Sequence, residues 1–446
     1  MLPPLDDTVL LNLQEAYKRS DGITTDTRTA GPGQLFFALK GENFNGNEYA
    51  LQALNAGCYA AVVDDAALAK EHDHRFILVP NALQALQSLA QWHRRQWSCP
   101  VIGLTGSNGK TTTKELIKCV LDSGFNHVHA THGNLNNEIG VPLTLLSCTE
   151  EPDVAIIEMG ANAQKEIALL ASIAEPTIGL ITNIGRAHLE GFGGKEGVLK
   201  GKGELFDFFR ESMNPYVVFV HAADAKLMQI SKDLDRLTYG ISDLAPFVCE
   251  VISESKFSWM DLNGQKHGPV TVQIAGQHNR ENILSAIAIG LHLGISSIEC
   301  STAIERYFPT NNRSQWHQTN SNRVLLDAYN ANPSSMHAAF ETFQKEANTE
   351  GHSAGLCIIG DMGELGTFAE NAHAEILDAA IQRGFEVVTV GPLFAKAATQ
   401  SAAQDVTVFL STALAFSHFE QHPPSHRRIL LKGSRSIALE TLLKVL

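Results

Sequence analysis

The most informative stretch of the chain, residues 101–117, reads Val-Ile-Gly-Leu-Thr-Gly-Ser-Asn-Gly-Lys-Thr-Thr-Thr-Lys-Glu-Leu-Ile. Its apolar start predicts a buried strand, its glycine-rich middle predicts a turn, and segment 111–121 predicts a helix with one apolar face. A strand, a glycine-rich loop and a helix in this order bind phosphate groups, because backbone N–H groups and the helix dipole favour an anion at the helix N-terminus. The stretch therefore predicts a phosphate-binding loop in an α/β domain.

The loop contains the residues that such a site needs. Lys110 is placed to reach the β- and γ-phosphates of a nucleotide, and the Thr111 hydroxyl is placed to bind Mg²⁺. Gly106 and Gly109 allow backbone angles and a close approach that side chains would block. The longer form of the motif has glycine where this chain has Leu104, so the sequence matches a shorter Gly-x-x-Gly-Lys-Thr form. On the loop alone, an ordinary turn between strand and helix stays the alternative.

Length and composition limit the class of protein. The 446 residues predict two or three domains, and 44% hydrophobic with 18% charged residues is typical of globular domains. The sequence has neither an apolar run near the ~20 residues that span a bilayer nor the features of a signal peptide. Seven scattered cysteines without a CxxC pair indicate reduced thiols. With a net charge of −14 and no basic stripe, we expect a cytoplasmic protein without a membrane or nucleic-acid partner.

Three units follow one another along the chain. Residues 1–97 predict a small α/β unit, residues 98–309 alternate strands with helices, and residues 310–446 predict a third α/β unit. The alternation in the central unit predicts a parallel, doubly wound sheet. Within it, segment 248–274 alternates apolar and polar residues around Asn263-Gly264, which predicts an antiparallel hairpin appended to the sheet.

Polar residues follow two apolar segments of the central unit. Glu158 follows Ile156-Ile157, and His188 comes soon after Leu180-Ile181. Because open α/β sheets bind ligands at the carboxyl ends of their strands, both should lie near the phosphate loop. Mg²⁺ prefers oxygen ligands, which favours Glu158 together with Thr111. From the residues alone, Glu158 is alternatively a solvated carboxylate and His188 a hydrogen-bonding loop histidine.

Three further segments are polar where ligands are expected. Residues 133–138 are rich in asparagine, which suits either a polar ligand or a simple turn. Lys202 lies in a segment that reads, by itself, as the charged face of a helix. In the third unit, polar loops at 327–336, 360–366 and 432–435 each follow a predicted strand. These loops predict a second ligand-facing edge opposite the phosphate loop.

Together these segments resemble the motifs of the Mur ligases, the ATP-dependent amide-forming enzymes of peptidoglycan precursor synthesis. The motifs are Thr105–Thr112, Gly133–Pro142, Glu158–Ala161, Ala187–Gly193, Tyr329–Pro333, Gly360–Gly366 and Lys432–Arg435, in the family's order along the whole chain. The resemblance implies an α/β protein of three domains. These are a small N-terminal domain that binds the UDP end of the substrate, a central P-loop domain with a doubly wound parallel sheet, and a C-terminal Rossmann-like domain.

The resemblance also implies a reaction. The motifs are most similar to those of the member that joins D-alanyl-D-alanine to UDP-N-acetylmuramoyl-tripeptide through an acyl phosphate, with ATP and two Mg²⁺ ions, and we expect a monomer. The alternatives are the preceding ligase, which adds the third amino acid, and a regulatory P-loop ATPase. The Asp-Asn-Pro-Arg motif of the diaminopimelate-adding ligase is absent from this sequence.

Position by position, the resemblance implies roles for individual residues. Lys110, Glu158, His188 and Lys202 match catalytic positions, with Thr111, Glu158, His188 and a carbamylated Lys202 as groups that hold metal. The nucleotide positions are Thr105, Gly106, Ser107, Asn108, Gly109, Lys110, Thr111, Thr112, Asn279, Asn282, Arg313 and Asp327. The substrate positions are Thr27 and Arg28 for uridine, Asn134, Asn136 and Asn137 for the muramoyl peptide, and Tyr329, Asn330 and Asn332 for the dipeptide. The chain departs from the family pattern at Leu326, Asn45 and Asn47.

Overall fold

A computed structural model describes residues 5–70, 74–240, 247–253, 255–261, 263–274, 276–309, 313–349, 355–401 and 405–446. Its strands form sheets of four, nine and six strands and one two-stranded hairpin. Helices accompany each of the three larger sheets, so the prediction of three α/β domains is confirmed.

The N-terminal domain has a parallel sheet of order β1-β2-β5-β6 and a separate β3–β4 hairpin. Its elements are α1 (Asp7–Arg19), β1 (Ile23–Thr24), β2 (Leu35–Phe37), β3 (Lys40–Gly41), β4 (Phe44–Asn45), α2 (Ala50–Asn55), β5 (Ala60–Val63), α3 (Ala66–Lys70), β6 (Phe76–Leu78) and α4 (Ala82–Arg94). Asn81 starts α4 by accepting a hydrogen bond of 2.8 Å from the Gln84 amide, a standard N-cap.

The central domain has a sheet of order β15-β14-β13-β12-β11-β10-β7-β9-β8. Its strands are β7 (Val101–Thr105), β8 (Val128–Ala130), β9 (Val154–Glu158), β10 (Ile178–Ile181), β11 (Val217–His221), β12 (Arg236–Gly240), β13 (Phe247–Ser253), β14 (Lys256–Met260) and β15 (Lys266–Thr271). Its helices are α5 (Lys110–Leu121), α6 (Gly140–Leu146), α7 (Glu166–Ala174), α8 (Leu189–Phe192), α9 (Lys195–Glu211), α10 (Ala225–Ile230), α11 (Gln277–His292) and α12 (Ser297–Arg306).

The parallel part of this sheet is buried on both faces. Along β9, Ala155 and Ile157 belong to one hydrophobic core, whereas Val154 and Ile156 belong to another. Successive strand residues point to opposite faces, so two cores mean helices on both sides, as predicted for a doubly wound sheet. The predicted hairpin is also present as β14 and β15, and β13 extends it to three strands by pairing antiparallel with β14 and parallel with β12.

The C-terminal domain has a sheet of order β16-β17-β21-β18-β19-β20, in which β16 alone runs antiparallel to its neighbour. Its elements are β16 (Gln315–Gln318), β17 (Arg323–Asp327), α13 (Pro333–Thr349), β18 (Leu356–Gly360), α14 (Ala369–Gln382), β19 (Glu386–Val390), α15 (Pro392–Gln400), β20 (Val406–Phe409), α16 (Thr412–Gln421) and β21 (Arg428–Lys432). The sequence predicts strands at residues 323–328, 356–359, 386–390, 406–410 and 428–431, and these agree with the observed bounds to within one residue.

Helix α4 fixes the N-terminal domain to the central domain. The buried Arg94 guanidinium donates hydrogen bonds of 2.9 Å to the carbonyl oxygens of Ala174 and Glu175 at the end of α7, and one of 3.1 Å to that of Trp97. One cation therefore satisfies carbonyl groups that a helix C-terminus leaves free.

Ion pairs and hydrogen bonds join the C-terminal domain to the central domain. Arg186, in the loop after β10, makes a bidentate pair with Glu375 at 2.6 and 2.7 Å, and its amide donates to the Ser334 hydroxyl at 2.9 Å. These contacts place the amino end of α13 against the phosphate-loop side of the central sheet. No helix among the described residues is both long and apolar enough to cross a membrane.

Candidate active site

The phosphate loop joins the end of β7 to the start of α5, as the sequence predicts. Gly106 and Gly109 adopt φ angles of 145° and 80°. A Cβ atom at Gly106 would lie 2.0 Å from the Thr182 hydroxyl, and one at Gly109 would lie 3.0 Å from the Asn282 carboxamide oxygen. Both positions therefore require glycine, because the backbone angle and the neighbouring side chain each exclude a side chain there.

Residues after β10 hold the loop in place. The amide of Asn108 donates to the Asn183 side-chain oxygen at 3.1 Å, and its carbonyl oxygen accepts from the Thr182 hydroxyl at 2.6 Å. The Ser107 hydroxyl accepts from the Gly185 amide at 2.9 Å. These protein–protein hydrogen bonds fix the shape of the loop, and a fixed set of donors is what a phosphate site needs.

Lys110 is the first residue of α5, and its ammonium donates to the Gly106 carbonyl oxygen at 2.8 Å. Burial lowers the pKa of Lys110, while the carboxylate of Glu158 opposes this shift. The guanidinium of Arg313 also lowers the pKa, and the carboxylate of Glu364 raises it. Two charged groups of the C-terminal domain thus act on the lysine of the phosphate loop.

Glu158, at the end of β9, is almost fully buried beside the loop. Its Oε1 atom accepts from the Thr111 hydroxyl at 3.1 Å and from the Asn136 carboxamide at 2.8 Å. Its Oε2 atom accepts no hydrogen bond, and the Lys114 ammonium lies 3.8 Å away. An unsatisfied buried carboxylate oxygen beside a threonine hydroxyl fits a hard divalent cation such as Mg²⁺.

No three histidine, cysteine, aspartate or glutamate side chains cluster as a metal site in the described parts of the chain. Mg²⁺ commonly keeps water ligands and takes one or two protein carboxylates together with substrate phosphates. The pair of Thr111 and Glu158 therefore fits Mg²⁺ that arrives with a nucleotide better than it fits a metal enclosed by protein ligands.

His188 precedes helix α8 and adopts a left-handed backbone conformation, with φ of 52°. Its Nδ1 atom pairs with the carboxylate of Glu364, which belongs to the C-terminal domain. The resemblance implies that Glu158 and His188 hold a second Mg²⁺, and both line the cavity described below. Gly366, two residues after Glu364, also packs against the central domain. A Cβ atom at Gly366 would lie 2.6 Å from the Glu190 carboxyl carbon.

Lys202 is fully buried in α9. Its ammonium donates to the Ala161 carbonyl oxygen at 3.0 Å and lies 5.0 Å from the centre of the Phe192 ring. Desolvation moves the pKa of Lys202 far below its usual value, and the positive charge of Lys110 adds to the shift. A lower pKa increases the share of lysine that carries a neutral, nucleophilic amine at a given pH.

Asn279 and Asn282 lie in the first turns of α11, and both are buried. The Asn282 carboxamide donates to the Asn279 side-chain oxygen at 3.1 Å. Nearby, the imidazole of His221, at the end of β11, lies 2.7 Å from the Glu281 carboxylate, a contact that was not predicted from the sequence. His221 ends an apolar strand segment as Glu158 does, and that signal could have identified it.

The C-terminal domain presents its predicted residues to the same space. The Arg313 guanidinium lies 3.9 Å from the centre of the Tyr329 ring, a cation–π contact. Asp327, at the end of β17, pairs with Lys432 at 2.7 Å, and Lys432 also donates to the Asn330 carbonyl oxygen at 3.1 Å.

One cavity of about 890 Å³ lies between the central and C-terminal domains. Among the predicted site residues, it is lined by Ser107, Asn108, Gly109, Lys110, Thr111, Thr112, Asn134, Asn136, Asn137, Glu158, His188, Asn279, Asn282, Arg313, Asp327, Tyr329 and Asn330. The predicted residues that do not line it are Thr105, Gly106, Lys202, Asn332, Thr27 and Arg28. Lys202 nevertheless contacts its wall, because Ala161 is a lining residue.

The N-terminal residues Thr27 and Arg28 lie in an exposed turn. The Arg28 guanidinium pairs with Asp26 at 2.6 Å, and 88% of its side chain is exposed. The structure therefore brings most predicted nucleotide, muramoyl-peptide and dipeptide residues together and keeps the predicted uridine residues on a separate surface.

Comparison with known proteins gives matches over all three domains. Residues 19–94 match the family described as "Mur ligase family, catalytic domain", residues 104–290 match "Mur ligase middle domain", and residues 312–435 match "Mur ligase, glutamate ligase domain". Together these matches follow the order of the three sheets.

Individual relatives agree over nearly the full length. The chain is 34% identical to the UDP-N-acetylmuramoyl-tripeptide–D-alanyl-D-alanine ligase of Bacillus subtilis, with 98% of this chain and 95% of that protein covered. A crystal structure of MurF from Acinetobacter baumannii is similar, with a TM-score of 0.84, 30% identity and 99% of each chain covered. The MurF ligase of Thermotoga maritima in complex with ADP has the same fold, with a TM-score of 0.82, 22% identity and 97% of each chain covered.

Proposed function

Because the chain belongs to the Mur ligase family, we propose that it joins D-alanyl-D-alanine to UDP-N-acetylmuramoyl-tripeptide with consumption of ATP. One observation carries the proposal. The phosphate loop, the buried carboxylate of Glu158 and residues of the C-terminal domain face a single cavity. A ligase needs this arrangement, because ATP, a carboxylate and an incoming amine must meet at one point.

The reaction has two chemical steps. The terminal carboxylate of the tripeptide attacks the γ-phosphorus of ATP, which forms an acyl phosphate and releases ADP. The ammonium group of D-alanyl-D-alanine loses one proton, and the resulting neutral amine attacks the acyl carbon. The tetrahedral intermediate then transfers a second proton from nitrogen to the departing phosphate and leaves the amide. Lys110 binds the transferring phosphoryl group and offsets the repulsion between two anions in the first step.

Thr111 and Glu158 would hold Mg²⁺ with the nucleotide, since the Oε2 atom of Glu158 accepts no hydrogen bond. When bound, Mg²⁺ neutralises charge on the phosphoryl oxygens. We assign His188 and a carbamylated Lys202 to a second Mg²⁺. The depressed pKa of Lys202 supports the carbamate, because a neutral amine adds CO₂ and loses one proton.

The remaining residues that the resemblance identifies are assigned to ATP and to the two substrates. We assign Thr105–Thr112, Asn279, Asn282, Arg313 and Asp327 to ATP. We assign Asn134, Asn136 and Asn137 to binding of the muramoyl peptide. We assign Tyr329, Asn330 and Asn332 to binding of the dipeptide, and Thr27 and Arg28 to binding of the uridine end. The corresponding domains are residues 1–97, 98–309 and 310–446, with boundaries in the segments that connect the sheets.

The chain is expected to act as a monomer in the cytoplasm. Six cysteines in the described residues are free thiols, which agrees with a reducing compartment.

The test is phosphate release with purified protein, ATP and Mg²⁺. We expect release only when both D-alanyl-D-alanine and a UDP-linked tripeptide are present. Phosphate release that ignores the dipeptide would indicate a regulatory ATPase. Release that requires a single amino acid and a UDP-linked dipeptide would indicate the preceding ligase.

A further inference from the structure

Glu364 reaches the active-site cavity from the C-terminal domain, in the loop between β18 and α14. Its Oε2 atom pairs with His188, yet 59% of its side chain is exposed, and it lines the cavity. It lines the same cavity as Lys110 of the phosphate loop, and its negative charge opposes the lowering of the Lys110 pKa. Its backbone is in the left-handed region, with φ of 60°, which is uncommon for glutamate.

Asp327 also lines the cavity from the C-terminal domain, but both of its oxygen atoms already have partners. It pairs with Lys432 at 2.7 Å and also accepts from the Ser314 amide. Within the described residues, the Oε1 atom of Glu364 accepts no hydrogen bond, so this carboxylate can accept one from a ligand.

The incoming dipeptide carries an ammonium group at neutral pH, because α-amino groups titrate near pH 8. A buried or half-buried ammonium needs an anionic partner. In the proposed function, Tyr329, Asn330 and Asn332 hold this dipeptide, and Glu364 is a carboxylate of the C-terminal domain that lines the same cavity as Lys110 and has a free oxygen.

We propose that Glu364 binds the ammonium group of the incoming dipeptide and positions that nitrogen next to the acyl phosphate. The inference rests on the proposed function and adds a specificity-determining residue to it. Gly366 supports this role, because its close packing against Glu190 fixes the loop against the central domain and so fixes the carboxylate in the cavity.

The experiment compares wild type with Glu364→Gln, which keeps the size of the side chain and removes its charge. Glu370→Gln is the matched control, because Glu370 is an exposed residue near this loop that pairs with Lys396 and does not line the cavity. We expect Glu364→Gln to raise the KM for D-alanyl-D-alanine by about 10- to 100-fold, the usual range for a hydrogen bond between charged groups. The control should change this KM by less than about twofold, as expected for an exposed ion pair.

Two further measurements separate ammonium binding from other roles. Propionyl-D-alanine is the same molecule with hydrogen in place of the amine, so its inhibition constant should be equal in wild type and Glu364→Gln. Acyl phosphate formed without dipeptide, trapped by hydroxylamine as the hydroxamate, should also be unchanged. Glu364→Asp keeps the charge on a shorter side chain, and its KM for D-alanyl-D-alanine should lie between the values for wild type and Glu364→Gln.

Several results would overturn the inference. An unchanged KM would show that Glu364 does not contact the dipeptide. An equal loss of affinity for propionyl-D-alanine would indicate a packing role, and a fall in hydroxamate would place Glu364 on the nucleotide or metal. If the wild-type protein shows no dipeptide-dependent phosphate release, the proposed function fails. If the wild type is active and Glu364→Gln is not selectively impaired, only the role of Glu364 is refuted.

Discussion

The Asn332 carboxamide donates a hydrogen bond of 2.7 Å to the Asn108 side-chain oxygen, and this bond joins the C-terminal domain directly to the phosphate loop. Asn332 is itself held by Ser335, whose amide donates to its side-chain oxygen at 3.0 Å at the start of α13. The phosphate loop and the C-terminal domain are therefore joined by a direct hydrogen bond. A nucleotide that orders Asn108 would also favour the docked position of the C-terminal domain.

Asn332→Ala should loosen this connection. Because a neutral hydrogen bond contributes about 0.5–1.5 kcal/mol, we expect a larger radius of gyration by small-angle scattering in the absence of ligands. Saturation with a non-hydrolysable ATP analogue and the UDP-tripeptide should restore the wild-type value. Equal scattering curves for wild type and variant without ligands would contradict this prediction.

Lys110→Ala should abolish acyl phosphate formation. The γ-phosphoryl group would lose its positive partner, and the loss of one preorganised donor typically lowers kcat by about 10²–10³-fold. The measurement is the hydroxylamine-trapped hydroxamate formed from ATP and UDP-tripeptide. Lys118→Ala is the control, because Lys118 lies on the same helix and pairs with Asp122 at the surface. Near-normal turnover in Lys110→Ala would refute the role of the loop.

The sequence predicts the central site well because its motifs are local. Strand, loop and helix around Gly106–Lys110 follow from the apolar pattern and from positions that only glycine can occupy. Glu158 is also predictable, because it ends an apolar strand next to the loop. The β13 strand was missed as a third member of the hairpin, since its parallel pairing with β12 depends on a contact that the local pattern does not encode.

Contacts between domains could not be predicted from the sequence. His188 was predicted near the phosphate loop and lines the same cavity, but its contact with Glu364 of the C-terminal domain was not predicted. Likewise, the Lys202 segment reads as a charged helix face, yet Lys202 is fully buried, because Gly201 leaves room for the Phe192 ring against α9. Burial of a lysine depends on tertiary packing, which a helical pattern alone does not reveal.

Arg94→Met should destabilise the junction between the N-terminal and central domains. The variant would leave the carbonyl groups of Trp97, Ala174 and Glu175 without this buried donor, at a cost of about 2–4 kcal/mol. Arg95→Met is the control, because Arg95 pairs with Glu175 at the surface and such a pair contributes about 0–1 kcal/mol. Scanning calorimetry should show a lower Tm for Arg94→Met than for Arg95→Met. Equal values of Tm would mean that Arg94 does not stabilise the junction.

Glu158→Gln should raise the Mg²⁺ concentration needed for half-maximal phosphate release. A carboxamide keeps the contacts to Thr111 and Asn136 within reach but removes the charge that a divalent cation requires. We expect the Mg²⁺ requirement to rise by at least about tenfold, as expected when a charged ligand is lost. Chelation with EDTA should abolish wild-type activity. An unchanged Mg²⁺ dependence in Glu158→Gln would show that Glu158 does not bind the metal.

Lys202 should make the folded state less stable as pH falls. Its pKa is depressed in the folded protein, so the unfolded chain binds the proton more tightly. The free energy of unfolding therefore falls as pH decreases from the pKa of lysine in the unfolded chain, about 10.4, to the lower pKa of Lys202 in the folded protein. In CO₂-free buffer, Lys202→Met should gain Tm relative to wild type as pH is lowered. A difference in Tm that is independent of pH would contradict the depressed pKa.

Bicarbonate should control activity through the same residue. Wild type that is depleted of CO₂ should lose activity and recover it on addition of bicarbonate, because the carbamate reverts to a free amine that cannot bind a cation. Lys202→Met should be inactive with or without bicarbonate, and Lys200→Met, whose residue lies two positions earlier in α9, should respond like wild type. A crystal grown with bicarbonate, nucleotide and substrate should show added density at the Lys202 amine. Unmodified density there, or activity that does not respond to CO₂ depletion, would leave the lysine as a buried structural residue.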